Sequence, residues 1–595
     1  MKKSAGNVKR RALLKTAGVL GAVTLAGCTA DSSGDAADER AALTPDRDLG
    51  ERVDTLVMEY WSDYGGHTTT QENMAPVIRD SVESALGVEI SIQPVDFTAQ
   101  VGNVYHDERT HELTFWWHSN APDRLDPHET TRRFAGDWAG GDGNSNPQNY
   151  INCEFTELAV GQANARSEEE RREMVANAHS IMSEDRMTIP LAPNVVHGAY
   201  RTDAVEIGGV GEAGLTRTNP NVFIKSRALE DEYITAATGP VPLETRNFPI
   251  SDSTAGLAIW NRLVHSPLVA YDEDYELVNV LAESYEVEAD GTIFTVELRD
   301  GTFHNGDPIT AEDVAFTFSH LAENAGIYSK ATAVPYESIT TIDDRTVEFV
   351  TEQPHLPLVT GVWPRWGVFH KETWVDGGVR DNPEEFDFDP IVGSGPFVVE
   401  DYQQGSHLEL TPHEGHPFHE PESSIYWRVY QDQQSEYRAF SQNEVQIICE
   451  QAPGVMSEIE RELTDTAETN VAQGFMYFSL YPQFPVAPTK FYEFRAALGK
   501  AIDRERLIET AFVEPVDAPL YSCPLAEAHP FRPPDEQLTK LVDDPRGEVD
   551  AARQVLIDAG WGWDEDGRLH YPDGTDLSPR WPEGEVPDPD EYDCL

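Results

Sequence analysis

Apolar residues alternate over residues 55–61 (Thr-Leu-Val-Met-Glu-Tyr-Trp), the pattern of a half-buried strand. From Gln71 they return at helical spacing, as Met74, Val77, Ile78, Val82 and Leu86, so a helix is expected over 71–86 with Gly87 closing it. Residues 88–95 alternate again, with Val88, Ile90 and Ile92 on one face, completing a β-α-β unit whose crossover is expected to be right-handed. Leu-Thr-Phe-Trp-Trp at 113–117 predicts a further strand. Ser167 is a helix N-cap followed by Glu168, Glu169 and Glu170, acidic groups that the helix dipole favours in a first turn. That helix runs past Met174 and Ile181, and Thr-Ile-Pro-Leu at 188–191 leaves it. Asp290-Gly291 separates two alternating runs and predicts a hairpin. Thr310 and Asp313 have the spacing of a capping box ahead of an apolar run. A helix over 550–556 has Gly560 to end it, whereas 201–232 holds Gly208, Gly209, Gly211, Gly214 and Pro220 and reads as turns. The chain is α/β, and 595 residues are enough for two or more domains.

The first 28 residues read as an address rather than structure. Arg10-Arg11 precede a short apolar run over 17–25, less than the ~20 apolar residues a spanning helix needs. Leu25-Ala26-Gly27-Cys28 then fits a lipobox. Twin-arginine export with a lipid on the Cys28 thiol is the expectation, which anchors the product on the outer face of the membrane. Residues 29–52 are small, acidic and aperiodic and read as a flexible tether. Residues 578–595 form a Pro- and acid-rich tail. Cys153, Cys449, Cys523 and Cys594 form no C-x-x-C pair, so one or two disulfides are possible outside the cell and zinc is a poor reading.

Charge narrows the partners. Asp and Glu number 105 against 44 Lys and Arg, a formal net charge of -61, which argues against nucleic acid and anionic membrane surfaces as partners. Beyond the signal there are six lysines, the first Lys225 and the last Lys540. An acidic surface so poor in Lys is what solubility in molar salt requires, where the Debye length is ~3 Å. A halophilic, haloarchaeal host is the expectation. Hydrophobic residues make up 39% of the chain, enough for large cores and against a disordered acidic protein.

Residues 281–318 (LAESYEVEADGTIFTVELRDGTFHNGDPITAEDVAFTF) resemble an early block of the extracellular solute-binding proteins of ABC transporters, specifically the dipeptide/oligopeptide-binding family 5. Gly393-Ser-Gly-Pro-Phe397 resembles that family's Gly-Thr-Gly-Pro-Tyr turn, and residues 494–504 and 550–560 resemble its later helices. Residues 55–191 resemble its closing segment, yet here they come first. The resemblance implies a two-lobed periplasmic-binding-protein-like fold (type II, cluster C), circularly permuted, with a hinge of two crossing strands. It implies lobe 1 at 190–473, with the old termini joined at about 201–232. Lobe 2 is assembled from 53–189 and 474–577, so the two ends of the chain are expected to share one compartment.

The same resemblance implies the site. A peptide's ammonium and carboxylate cannot be buried unpaired without a penalty of several kcal/mol. The family sets an acidic residue against the ammonium between a Trp and an acidic-Pro pair. Counted back from Asp126-Pro127 that residue is Asp123, and counted forward from Trp117 it is Asn120. Trp116 and Trp117 are adjacent on a strand, so their rings are expected on opposite faces, with Trp117 flooring the cleft. Asn261, Trp363, Trp366 and Ser394 are further ligand-binding candidates by resemblance. His413, His416 and His419 recur every third residue and are weak candidates for a soft metal. No cofactor is expected. Gly393-Ser394-Gly395 lacks the following Lys or Gly of a phosphate loop or nucleophile elbow, and there is no H-E-x-x-H. The expected function is capture of di- or oligopeptides by lobe closure, as a monomer, for a permease pair driven by cytoplasmic ATPases. Nickel chelate, haem or oligosaccharide cargo is the alternative, and a surface hydrolase the more distant one.

Overall fold

The computed structural model describes residues 32–595 except 63–64, 106–108, 119–120, 141–145, 252, 289–290, 329–330 and 332–333. The signal segment and Cys28 lie outside the described residues. Ten strands form one sheet, in the order Phe397–Gln403, His407–Pro412, Ser424–Val429, Tyr233–Thr238, Ile447–Ile448, Ile189–Arg201, Ala467–Pro482, Leu113–Trp116, Leu56–Trp61 and Ile90–Val95. The expected β-α-β unit is there: Leu56–Trp61 and Ile90–Val95 pair in parallel, joined by the helix Gly65–Leu86. That helix begins six residues before its apolar periodicity. Its first turns are polar, but His67, Thr68 and Thr70 are buried, so packing rather than propensity extends it.

Two large apolar cores flank the centre of the sheet. One gathers residues between Val205 and Cys449, including the antiparallel sheet of Ala282–Val287, Ile293–Leu298, Thr346–Thr351 and Tyr336–Thr341. The other draws on both ends of the chain, from Val53 to Val195 and from Phe478 to Tyr571. Ile189–Arg201 and Ala467–Pro482 run antiparallel between the two. Their register is regular from Ala467 opposite Arg201 to Gln473 opposite Val195. It then slips, leaving Asn194 opposite a bulge before Tyr477 pairs with Pro193. Residues 524–526 pair the bulged strand instead: Ala526 N–H donates to the Phe475 carbonyl (2.9 Å) and Tyr477 N–H to the Pro524 carbonyl (3.2 Å).

The segment read as a flexible tether is partly regular structure. Ser32–Ala41 is a helix, and Leu49–Arg52 is a strand antiparallel to Leu569–Pro572. Arg40 accounts for the difference: its Nε donates to the Gly567 carbonyl at 2.8 Å and its Nη1 to that of Ser84 at 2.5 Å, contacts no local pattern could announce. The acidic tail is likewise fastened. Cys594 is disulfide-bonded to Cys153, and Arg109 Nη1 donates to the Trp581 carbonyl at 2.7 Å. Cys449 and Cys523 are buried and free.

Candidate functional site between the two cores

Parallel strands place their following loops at a common edge, and open α/β sheets bind ligands at such carboxyl ends. Tyr233–Thr238 pairs in parallel with Ser424–Val429 and with Ile447–Ile448. On the other side of the crossing strands, Leu56–Trp61 is parallel to both Ile90–Val95 and Leu113–Trp116. The segments that follow the strands of the first group face the end of Leu56–Trp61 and the helix after it across a cavity of about 580 Å³. Ser62, Thr68 and Thr69 line it from the side of the chain ends. Pro240, Tyr430, Glu436, Glu450 and Arg217 are among the residues that line it from the middle of the chain.

Aromatic rings back the first wall. His67 stacks on Trp117 with centroids 3.8 Å apart and planes at 12°, and Trp117 meets Trp61 edge-on at 5.3 Å. His67 Nε2 lies 3.1 Å from Asn194 Oδ1, an acceptor, so that nitrogen carries the proton. Burial pushes the imidazole down to about 4, which leaves it neutral near pH 7. Asn194 Nδ2 in turn donates to the His118 carbonyl at 2.8 Å. The residue opposite the strand bulge therefore ties the crossing strand Ile189–Arg201 to the aromatic wall.

A second contact joins the two cores. Asp126 caps the helix Pro127–Thr131 and takes a bidentate pair from Arg171, at 2.6 and 2.9 Å. Thr360, from the other core's side, donates its hydroxyl to the same carboxylate, and its carbonyl accepts from the Tyr271 hydroxyl at 2.9 Å. Burial alone raises the Asp126 carboxyl; Arg171 and Thr360 more than reverse it and hold it below the usual 3.8.

The sequence model described as bacterial extracellular solute-binding proteins, family 5 Middle, matches residues 276–584, more than half of the chain. This chain belongs to that family. It is similar to a dipeptide-binding protein of Escherichia coli, 23% identical over 283 residues that cover 43% of this chain and 51% of that protein. It is also similar to a glutathione-binding protein of Shigella boydii, 27% identical over 257 residues, 41% of this chain and 47% of the relative. The chain thus spans about half the length of the curated relatives it matches. Among solved structures, the oligopeptide-binding protein AppA of Bacillus subtilis in complex with a nonapeptide is similar, with a TM-score of 0.43 at 19% identity, over 55% of this chain and 64% of that one.

In this family 5 chain the residues picked from sequence fall in three places. Asn120 and the side chain of Asp123 lie outside the described residues; the backbone of Asp123 belongs to the short 3-10 helix Pro122–Leu125. Trp117 lies one layer beneath the cavity wall. Trp116 and Trp117 have different neighbours on the crossing strand: Trp116 meets Tyr481 and Trp117 meets Phe478, each with centroids 6.4 Å apart, while Trp61 touches both rings, at 5.5 and 5.3 Å. Asn261, Trp363, Trp366 and Ser394 are in the interior on the middle segment's side, at 0–1% exposure, and the structure does not bring them to the cavity. Asn261 Oδ1 accepts from Gly367 N–H (3.1 Å), and Ser394 bridges Ser266 N–H and the Val368 carbonyl. Trp363 packs against Phe294 and Phe349 over the four-stranded sheet.

The histidine triplet is a structural joint. His416 Nε2 meets the Ser266 hydroxyl at 2.8 Å, while its Nδ1 accepts from the backbone of Phe418 and His419. His413 Nδ1 lies 3.1 Å from the Gly395 carbonyl. Burial pushes His416 down to about 2 and His419 to about 3. Among the described residues no group of three or more His, Cys, Asp or Glu is arranged to hold a metal ion. Arg217, Glu436 and Glu450 were missed by sequence reasoning, since they come from a turn-rich loop, the first turn of the helix Gln433–Ser441 and the segment after Ile447–Ile448, and carry no motif.

Proposed function

We propose that this chain is the solute-capturing component of an ABC importer and that it takes di- or oligopeptides by closing two lobes over them. The observation that carries this reading is the cavity of about 580 Å³ between the two cores, lined by residues from the sides of both. Its size is in the range of small-ligand sites, ~300–1,000 Å³. The lobes are 190–473 and, together, 53–189 with 474–577. Among the described residues the crossing strands, contacts such as Asp126–Thr360 and a buried cluster that includes Leu125, Tyr271, Phe475 and Leu525 join them, and in this reading closure bends the bulge at Asn194. Ligand drives closure only through its greater affinity for the closed form, and micromolar binding corresponds to about −8 kcal/mol.

The chain is, in this reading, a circular permutant of its family. The pairing of Leu49–Arg52 with Leu569–Pro572 and the core shared by both ends support it. Twin-arginine export, the lipid on Cys28 and a halophilic host complete the proposal, and two permease subunits with cytoplasmic ATPases are the partners. The chain acts as a monomer and performs no catalysis. Incubating the purified chain with a defined tripeptide pool tests this by native mass spectrometry. Stoichiometric retention of intact peptide is expected; turnover of the pool, or retention of none of it, overturns the reading.

A further inference from the structure

The cavity wall carries charges of both signs, and they are unevenly matched. Among the described residues Asp432, Glu436 and Glu450 line it together with one cation, Arg217. Arg217 is carried by the turn-rich segment 201–232, read from the resemblance as the join of the family's old termini and matched to no family motif. Asn219 holds that loop in shape: its Nδ2 donates to the carbonyls of Gly209, Val210 and Gly214 at 2.9, 3.2 and 2.9 Å. Arg217 Nε donates to Glu450 Oε2 at 2.7 Å, and Nη2 reaches the same oxygen. Glu450 holds this position at φ 56°, a left-handed conformation that costs a non-glycine residue about 1–2 kcal/mol. Glu436 is buried and accepts from Gln451 Nε2 at 2.5 Å. The Tyr430 hydroxyl, on the same wall, is buried without a hydrogen-bond partner among the described residues.

We infer that Arg217, Glu450 and Glu436 read the charges of the solute: a zwitterion binds by exchanging partners, its carboxylate taking Arg217 and its ammonium taking Glu450 and Glu436. This rests on the reading of the cavity as a peptide site. Partner exchange leaves no buried charge unpaired, the condition under which ionic groups are tolerated out of water. The internal Arg217–Glu450 pair holds the same two charges in place until the solute supplies both. A solute with only a carboxylate brings a second anion toward Glu436 and Asp432 and is repelled. One with only an ammonium strands Arg217. Selectivity for solutes bearing both charges follows from the wall itself, with the motif position Asp123 left out of the ammonium contact.

The probe is a pool of tripeptides of Ala, Leu and Ser, in which the termini are the only charges, presented free, N-acetylated or C-amidated to the full chain. Native mass spectrometry reads retention, and an uncharged maltooligosaccharide pool is a fourth arm. The wild type is expected to retain the free pool at least tenfold over either capped pool. Arg217→Gln is expected to abolish the free-to-amidated ratio and keep the free-to-acetylated one; Glu450→Gln and Glu436→Gln do the reverse; Asp123→Asn changes neither. Each ratio is internal to one variant, and Arg217→Met serves where Arg217→Gln does not fold. Equal retention of capped and free peptides, ratios unmoved by these substitutions, or an ammonium preference lost in Asp123→Asn overturns the charge assignment and leaves peptide capture standing. Retention of the sugar pool alone, or of nothing, overturns peptide capture and this assignment with it.

Discussion

Asp126 is buried at 1% exposure and receives both Arg171 nitrogens and the Thr360 hydroxyl. Removing one partner of such a pair strands a charge in a dry site, at a cost of about 3–5 kcal/mol. Arg171→Met should therefore lower stability by that order in urea unfolding at pH 7. The carboxyl's folded value is depressed below 3.8, so its contribution is fully present above that pH and is lost as pH falls through the lower folded value. The gap between wild type and Asp126→Asn should accordingly narrow below about pH 4; a gap that stays constant to pH 3 would remove the carboxylate from the account. At this scale the sequence was least legible. Asp126 was visible as half of an acidic-Pro pair, but nothing in it announced Arg171, 45 positions on, or Thr360, 234 positions on. Trp363 and Trp366 looked like cleft aromatics because a ring that floors a pocket and one that fills a core are the same residue in one dimension. Arg217 and Glu450 meet only because two loops 233 residues apart reach one wall.

Elements were far more legible, because their causes are local. Thr310 and Asp313 form the capping box their spacing called for: Asp313 N–H donates to Thr310 Oγ1 (3.4 Å) and Thr310 N–H to Asp313 Oδ2 (3.0 Å). Ser167 likewise caps Glu168–Glu184. What sequence spacing misses is where one element's end docks on another. Gly87 terminates the helix Gly65–Leu86 at φ +72°, and a Cβ there would lie 2.1 Å from the Gly567 carbonyl oxygen. Its demand for glycine is thus double: the left-handed backbone costs another residue about 1–2 kcal/mol, and the contact with Gly567 forces the two chain ends apart. Gly87→Ala should lower the melting temperature by more than the strain alone accounts for and expose residues 32–52 to proteolysis. Gly102, inside the helix Phe97–Tyr105 with no described atom beyond its own helix backbone and chain neighbours within 4 Å of its Cβ position, is the control. Gly102→Ala should be neutral or slightly stabilising, and equal losses at both positions would show that the docking adds nothing.

The whole molecule is an acidic shell around two cores closed by long-range fastenings. The Cys153–Cys594 disulfide spans 441 residues, and Arg553 Nε donates to the Ala85 carbonyl across 468. Sequence reasoning reached the sharing of a compartment by the two ends through resemblance; the physical ties that hold it, buried arginines on backbone carbonyls, have no pattern to read. Net charge, by contrast, is fully legible and has a consequence at this scale alone. A formal charge of -61 repels itself within the compact state and is relieved when the chain expands. At 0.1 M salt the Debye length is ~10 Å, so neighbouring surface carboxylates feel one another; at 1 M it is ~3 Å and most of that repulsion is gone. Buried pairs such as Asp126–Arg171 are screened much less, so the attractive ties survive the salt that removes the repulsion. The melting temperature should therefore climb steadily from 0.1 to 2 M KCl, followed by circular dichroism, with most of the rise below 1 M, where the Debye length is still contracting past the spacing of surface charges. An equal concentration of an uncharged osmolyte should not reproduce that shape, since it leaves the Coulomb range untouched. A flat profile, or one the osmolyte matches, would mean that the acidic shell does not strain the fold and that the scarcity of lysine has some cause other than salt.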